Sequence, residues 1–173
     1  MRVLALALAA MAAAACGGSA STGVGGNTTC TETATGAQSV TLDCTNHVLG
    51  TYTTGNNAGA ISISAPATGS GSVSGGTTIS FSGEPTAKTY KTGDAGLIAF
   101  IQFGSSSNLW VVQNDGTSSS SNQGTFTLTV SSVNTVTTGS GAKIYTIHGT
   151  MDAVAPAYSS TSATGTVNLH TTF

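Results

Sequence analysis

The chain has 173 residues, only 6% of them charged, and a formal net charge of −2 at pH 7. The basic residues are Arg2, Lys88, Lys91 and Lys143. Such scattered cations neutralise too few phosphates for nucleic-acid binding, and they form no basic cluster for anionic lipid headgroups. We therefore expect no nucleic-acid partner.

Residues 1–15 have the pattern of a bacterial signal peptide. Arg2 and the amino terminus give a positive start, residues 3–15 form an unbroken apolar run, and alanines end it. The run is shorter than the roughly 20 apolar residues that span a bilayer as a helix. We therefore expect this leader to direct export and then to be removed.

The small residues directly before Cys16 resemble the bacterial lipobox. In that class of proteins the cysteine thiol receives a diacylglycerol, the leader is cleaved, and the new amino end is acylated. The resemblance covers residues 1–16 only and departs from the usual pattern at Ala13, where leucine is commonest. It implies a lipidated Cys16, and Gly17 after it implies the outer membrane in organisms with two membranes. The alternative is ordinary cleavage after an Ala-x-Ala site and a secreted protein.

Residues 16–29 are predicted to be the lipidated cysteine and a flexible tether. After Cys16 the segment has no bulky residue except Val24, so it cannot bury enough surface to fold. As a random coil it reaches roughly 20 Å, which lets a lipid-anchored domain stand off a bilayer. Residues 30–173 are predicted to form a single domain.

Cys30 and Cys44 remain as an even pair once Cys16 is lipidated. In an oxidising compartment such a pair predicts a disulfide, which would contribute about 3 kcal/mol by restricting the unfolded chain. The alternative is two free thiols. A metal site has less support, because the chain has no C-x-x-C pair and only His47 lies nearby. We expect no metal ion or other cofactor.

The rest of the chain alternates apolar residues with polar ones, mostly threonine and serine. Period-two spacing puts each apolar set on one face of a strand and the polar side chains on the other. The alternating sets are Val40 and Leu42; Ile61 and Ile63; Ile79 and Phe81; Phe126, Leu128 and Val130; and Val167, Leu169, Thr171 and Phe173.

Residues 97–103 and 109–112 are nearly continuous apolar runs. They predict central strands buried on both faces, with Trp110 in the core, and the polar residues 104–108 between them predict a hairpin turn. A long serine-rich loop is predicted to begin at residue 114.

The fold class that these patterns predict is all-β. After residue 16 no helical stripe longer than one turn appears, and strands recur about every 10 residues with turn residues between them. We expect an antiparallel β-sandwich, or a small β-barrel, of about eight or nine strands.

Candidate catalytic groups are few. His148 and Asp152 are four residues apart and could share a strand face, and one of the many serines would complete a Ser/His/Asp arrangement. The chain has no G-x-S-x-G motif, and a serine near a histidine is expected by chance in so serine-rich a sequence. We therefore expect His148 and Asp152 to be surface groups, and His170 to face solvent.

Two further features have structural explanations. Asp94 and Asp115 lack the D-x-D-x-D-G pattern of a calcium loop and are predicted to form turns. Tyr90 lies between Lys88 and Lys91 and is the best candidate for an exposed aromatic ring. The alternative is that its ring packs against a strand and its hydroxyl meets water.

The carboxy-terminal half repeats a glycine-threonine-apolar pattern at Gly124, Gly149 and Gly165. It resembles the β-rich ends of small bacterial surface lipoproteins with no assigned activity. We expect a non-catalytic, lipid-anchored protein with a structural or binding role at the cell envelope. The expected partners are the membrane, through the anchor, and an envelope protein or glycan. The alternatives are a β-barrel that binds a small apolar ligand and a small envelope hydrolase.

Overall fold

The computed structural model describes residues 29–66, 73–94, 96–104, 108–113, 124–139, 141–159 and 161–173. These residues form eleven β-strands and one short 3-10 turn, so the all-β prediction is confirmed. No helix within the described ranges has the length and apolarity needed to cross a bilayer. The leader, Cys16, almost all of the tether and the loop from residue 114 lie outside the described residues.

The strands are bounded as follows. In chain order they are β1 (Thr31–Gly36), β2 (Val40–Asp43), β3 (Val48–Thr53), β4 (Ala58–Ala65), β5 (Gly75–Ser82), β6 (Thr89–Lys91), β7 (Ile98–Phe103), β8 (Leu109–Gln113), β9 (Thr125–Gly139), β10 (Ala142–Pro156) and β11 (Thr166–Thr172).

All strand pairs are antiparallel, and one path runs β2-β1-β11-β10-β3-β4-β5-β7-β8. β9 pairs along the other edge of β10, and β6 pairs with β9. The amino-terminal part of β10 pairs with β3, whereas residues 150–156 pair with β11. The long β9–β10 hairpin therefore belongs to two sheet halves. The first half adds β1, β2, β6 and β11 to it, and the second adds β3, β4, β5, β7 and β8.

Two bulges mark the bend in this hairpin. The β9–β10 register shifts between Ile144 and Tyr145 and again between His148 and Gly149. Extra residues of this kind increase the local twist of a strand pair and redirect it. They occur where β10 exchanges β3 for β11 as its neighbour.

The two sheet halves enclose a shared core, which makes the architecture a sandwich. Glu32 of β1 contacts Thr77 of β5, and one apolar cluster contains side chains from both halves. The sheet is not closed into a barrel: the outer edge of β8 meets the chain beyond β10 through a single bridge, Trp110 to Ala157. Of the two predicted architectures, the sandwich is therefore the one observed.

The predicted alternation is confirmed in the buried faces. In β11 the side chains of Val167, Leu169 and Thr171 are buried, while the intervening Asn168 and His170 are exposed. The polar Thr171 is fully buried because it has the inward parity of its apolar neighbours. The period of two thus decides its burial despite its hydroxyl.

The two continuous apolar runs form the predicted hairpin of β7 and β8. Ile101 and Trp110 are fully buried in the main core, and Ile98 and Phe100 pack with Val111 in a second cluster on the opposite face. β8 is nevertheless at the end of the strand path rather than at its centre. Tyr158, in the chain that follows β10, packs against the second cluster.

The strand count exceeds the eight or nine expected. β6 is only three residues long, too short for an alternation to be visible. β1 turns Glu32 and Ala34 inward rather than large apolar residues, so its pattern does not resemble that of a half-buried strand.

The Cys30–Cys44 disulfide is confirmed. It joins the residue before β1 to the residue after β2, with a Cα–Cα distance of 4.8 Å. Both cysteines are buried, and the backbone N–H of Cys44 donates to the carbonyl oxygen of Cys30 at 3.1 Å. The bond therefore fixes the β1–β2 hairpin at its open end.

Candidate functional site

The outer surface of the first sheet half has a patch of short polar side chains. Alternation in β1, β9, β10 and β11 turns the apolar residues to the core, so the intervening residues face outward. We call this patch the threonine face; it consists of Thr33, Thr35, Thr125, Thr127, Asp152, Val154, Asn168 and His170.

Strand register aligns these side chains in two rows that cross four strands. The first row is Thr33, His170, Asp152 and Thr127, and the second is Thr35, Asn168, Val154 and Thr125. Neighbouring strands are about 4.8 Å apart, so adjacent members of a row lie side by side. The rows therefore bring hydroxyl, amide, imidazole and carboxylate groups together from distant parts of the sequence.

The threonine face surrounds a shallow open depression of about 320 Å³. Phe126, Ala153 and Leu169, whose side chains otherwise face the core, also contribute atoms to its lining. The depression thus combines a polar rim with apolar surface, as binding sites for small polar ligands do.

Asp152 and His170 form a hydrogen-bonded pair at the centre of the first row. The Nδ1 atom of His170 is 2.7 Å from Oδ1 of Asp152, and the two side chains are 59% and 69% exposed. The hydroxyl of Thr172 lies 3.5 Å from Nε2 of the same ring. Because both side chains are well solvated, the pair contributes little to the free energy of folding. Its main effect is to hold the imidazole ring in place.

The predicted surface positions of His170 and Asp152 are confirmed, but the partner of Asp152 is His170 and not His148. His148 and Asp152 have the same parity in β10, yet four residues of extended strand separate their Cα atoms by about 13 Å. A hydrogen-bonded His148–Asp152 dyad is therefore not formed.

A second polar cluster joins the loop after β5 to β10. The Nζ atom of Lys143 lies 2.9 Å from Oε2 of Glu84, and the hydroxyl of Tyr145 donates to Oε1 of Glu84. The hydrogen bonds from Tyr145 and Lys143 lower the pKa of Glu84. Burial and the Glu84 carboxylate raise the pKa of Tyr145. Because these groups satisfy one another, the cluster is a structural link between elements.

Glu32 is a buried acid whose burial no sequence motif indicates. Its side chain is 1% exposed, and Thr77 donates to its Oε2 at 3.3 Å. Burial raises its pKa to about 7, against the smaller lowering effect of the hydrogen bond from Thr77. Among the described residues, Oε1 of Glu32 and the Thr171 hydroxyl have no hydrogen-bond partner. Since Glu32 lies inside the core, it is not placed to meet a ligand on the threonine face.

The aromatic predictions have mixed outcomes. Trp110 is fully buried, as predicted. Of the two expectations for Tyr90, the exposed ring is wrong and the packed ring is observed: its side chain is 2% exposed, and its ring centre is 4.7 Å from that of Phe81. Its hydroxyl accepts from the backbone N–H of Thr86 at 2.8 Å, and Lys88 covers its ring. Lys91 has the outward parity of a short strand whose middle residue faces the core, whereas Lys88 precedes the strand and lies over the Tyr90 ring.

Asp94 forms a turn, as predicted: its Oδ2 accepts from the backbone N–H of Lys91 at 2.9 Å. Asp115, the other aspartate predicted to form a turn, lies outside the described residues. Within the described ranges, no three histidine, cysteine, aspartate or glutamate side chains are grouped closely enough to hold a metal ion.

No protein-family model, curated protein or solved structure matches this chain. Its function must therefore be argued from its own residues. Of the two exposed polar groupings described above, the threonine face is open, concave and only partly satisfied internally, whereas the Glu84 cluster is internally paired.

Proposed function

We propose that the protein is a non-catalytic, lipid-anchored protein of the cell envelope that binds a neutral glycan on the threonine face. The observation that carries the binding part is the alignment of eight outward side chains from four strands around one depression.

The anchoring part is supported by the leader and the cysteine that follows it. Residues 1–15 resemble a signal peptide, and the lipobox pattern ends at Cys16. The Cys30–Cys44 disulfide fits the oxidising conditions outside a bacterial cytoplasm. Gly17 favours the outer membrane as the destination, and secretion without an anchor is the alternative.

The chemistry of the threonine face favours a neutral polyhydroxy ligand. Each threonine hydroxyl both donates and accepts, as sugar hydroxyls do. Threonine is stiff at χ1, so ordering the site on binding costs little conformational entropy. The methyl groups of the threonines and the half-exposed Val154 offer apolar surface to the C–H groups of a sugar ring. The face has one carboxylate, which is already paired with His170, so a charged ligand has no strong counter-ion.

The two alternative functions have less support. A barrel that holds an apolar ligand requires a closed sheet, and this sheet is not closed. A hydrolase based on His148 and Asp152 requires their contact, and Asp152 instead contacts His170.

The anchor is tested by mass spectrometry of the mature amino terminus of protein purified from membranes. We expect a triacylated Cys16, and we expect Cys16→Ala to abolish acylation and move the protein out of the membrane fraction. An unmodified terminus in the culture medium would contradict the anchor. It would not contradict the glycan site, which is tested by the binding experiment that follows.

The glycan site is tested with the full-length protein, in detergent, on an array of neutral and acidic oligosaccharides. Thr127→Val and Asn168→Ala each remove a polar group from the face, and each should weaken neutral-glycan binding at least about fivefold. Thr53→Val is the matched control, because Thr53 is exposed on β3 in the second sheet half, away from the depression. Binding that is restricted to acidic glycans, or to a protein partner, would refute this assignment.

A further inference from the structure

Three of the sheet edges have features that discourage pairing with another chain. β2 is four residues long and ends at Asp43, and β6 is three residues long, beside Lys88 and ending at Lys91. Short and charged edges of this kind resist strand addition. The edge of β8 is covered by the chain after β10, because the N–H of Tyr158 donates to the carbonyl oxygen of Leu109 at 2.9 Å.

The second half of β9 lacks these features. Beyond the stretch that pairs with β6, residues 131–139 pair with β10 on one side only, as far as the described strands show. Their sequence, SSVNTVTTG, contains no charge and no proline and is rich in β-branched residues. Residues 134–138 are exposed, and Val136 is 44% exposed although it is apolar.

The register identifies the backbone groups that this edge presents. Ser132 and Asn134 are opposite His148 and Thr146 of β10, and the extra residues Ser131 and Val136 bracket this regular stretch. Gly149 of β10 exchanges both backbone hydrogen bonds with Phe173, on the side away from β9, so by alternation His148 and Thr146 bond towards β9. Their partners Ser132 and Asn134 therefore bond to β10, and the backbone groups of Val133 and Thr135 point away from it. The edge thus offers two adjacent donor and acceptor pairs between two bulges.

We propose that this edge of β9 pairs antiparallel with the same edge of a second copy of the chain. If Asn134 lies opposite Asn134 of the second copy, Val133 of each chain exchanges both backbone hydrogen bonds with Thr135 of the other. The arrangement has two-fold symmetry and therefore closes as a dimer. It stays within the regular stretch, so neither bulge interrupts it.

The composition of the edge favours a second copy over other occupants. Identical uncharged segments bring no like charges together, and the pairs that they form combine valine, threonine and asparagine side chains. The chain's own residues 17–28 are rich in glycine and have one β-branched apolar residue, Val24, so they are poor strand formers. The dimer does not involve the threonine face, because that face uses only the first part of β9.

The oligomeric state of the full-length protein in detergent tests the proposal. Sedimentation should show a dimer, and Thr135→Pro should make it a monomer. Proline removes an N–H that faces away from β10 and is tolerated at such an edge, so the variant should keep its circular dichroism spectrum and melting temperature. A monomeric wild type, or a dimer that Thr135→Pro leaves intact, would overturn the proposal.

Disulfide trapping tests the register independently of dimer strength. Directly opposed residues of a non-hydrogen-bonded pair have Cα atoms about 4.5 Å apart, within disulfide reach. Asn134→Cys should therefore give a covalent dimer on mild oxidation. Thr138→Cys, exposed on the same strand, is the matched control and should not, because its two copies would be more than about 20 Å apart. Equal cross-linking of both variants would also count against this pairing.

Discussion

Thr77 of β5 donates a hydrogen bond across the core to the buried carboxyl group of Glu32 in β1, with an Oγ1–Oε2 distance of 3.3 Å. This contact joins the two sheet halves inside the core. It leaves Oε1 of Glu32 and the hydroxyl of Thr171 unpaired among the described residues. Glu32 is therefore better accommodated as a neutral acid than as an anion.

The first prediction is that stability falls as the pH rises between about 4.5 and about 7, because burial raises the pKa of Glu32 from 4.5 to about 7. In this window the folded protein holds a proton that the unfolded chain has released, so each pH unit favours unfolding. The contribution of Glu32 to the free energy of unfolding is greatest below pH 4.5 and is lost by about pH 7, and it amounts to about 3 kcal/mol. Urea unfolding at pH 5, 6, 7 and 8 measures it.

Glu32→Gln provides the decisive comparison, because the amide is nearly isosteric and cannot ionise. The variant should lose this decline and exceed the wild type in stability at pH 8. Glu84→Gln is the control: the pKa of Glu84 is lowered by Tyr145 and Lys143, so its contribution is lost at lower pH, as the carboxylate protonates. A decline that persists in Glu32→Gln would mean that other groups cause it.

The second prediction concerns the disulfide. Replacing both Cys30 and Cys44 by serine should lower the free energy of unfolding by about 3 kcal/mol, because the unfolded chain regains the freedom of a loop of about 15 residues. The double change leaves no new free thiol in the domain. Urea unfolding of the variant should match that of the reduced wild type, and a reduced wild type as stable as the oxidised protein would refute the prediction.

The third prediction is that Tyr145 ionises at a higher pH than an ordinary tyrosine. Burial, the hydrogen bond to Glu84 and the charge of Glu84 all raise its pKa. In an absorbance titration of tyrosinate, Tyr145→Phe should remove a step at the alkaline end of the curve. Glu84→Gln should move that step to lower pH, since the carboxylate that opposes the tyrosinate is gone. Identical alkaline limbs in Glu84→Gln and the wild type would show that Glu84 has no effect on Tyr145.

Much of the strand structure follows from local alternation, because the burial of one face leaves a period of two in the sequence. Glu32 could have been placed by the same argument. Cys30 and Ala34 are two residues to either side of it, and a disulfide that pulls Cys30 into the core puts Glu32 on the inward face. Its charge alone suggested exposure.

The threonine face could not be predicted in the same way. Asp152 and His170 are 18 residues apart and meet only because β10 and β11 pair in one particular register. That register depends on the length and conformation of the connection between the strands, and the alternation of apolar residues does not reveal either of them. Proximity along the sequence suggested His148 as the partner of Asp152, but an extended strand separates residues four positions apart.

The last prediction uses two glycines in different surroundings. A Cβ atom at Gly149 would lie 2.2 Å from the backbone carbonyl oxygen of Thr129, and it would lie at the bulge where β9 contains the extra Ser131. The backbone N–H of Gly149 also donates to the carbonyl oxygen of Phe173 at 2.6 Å, and this bond limits any shift of β10. Gly149→Ala should therefore lower the free energy of unfolding by about 1–3 kcal/mol. Gly55→Ala is the matched control, since nothing lies within 4 Å of its added methyl group. Equal unfolding midpoints for the two variants would show that β9 and β10 can separate at the bulge without cost.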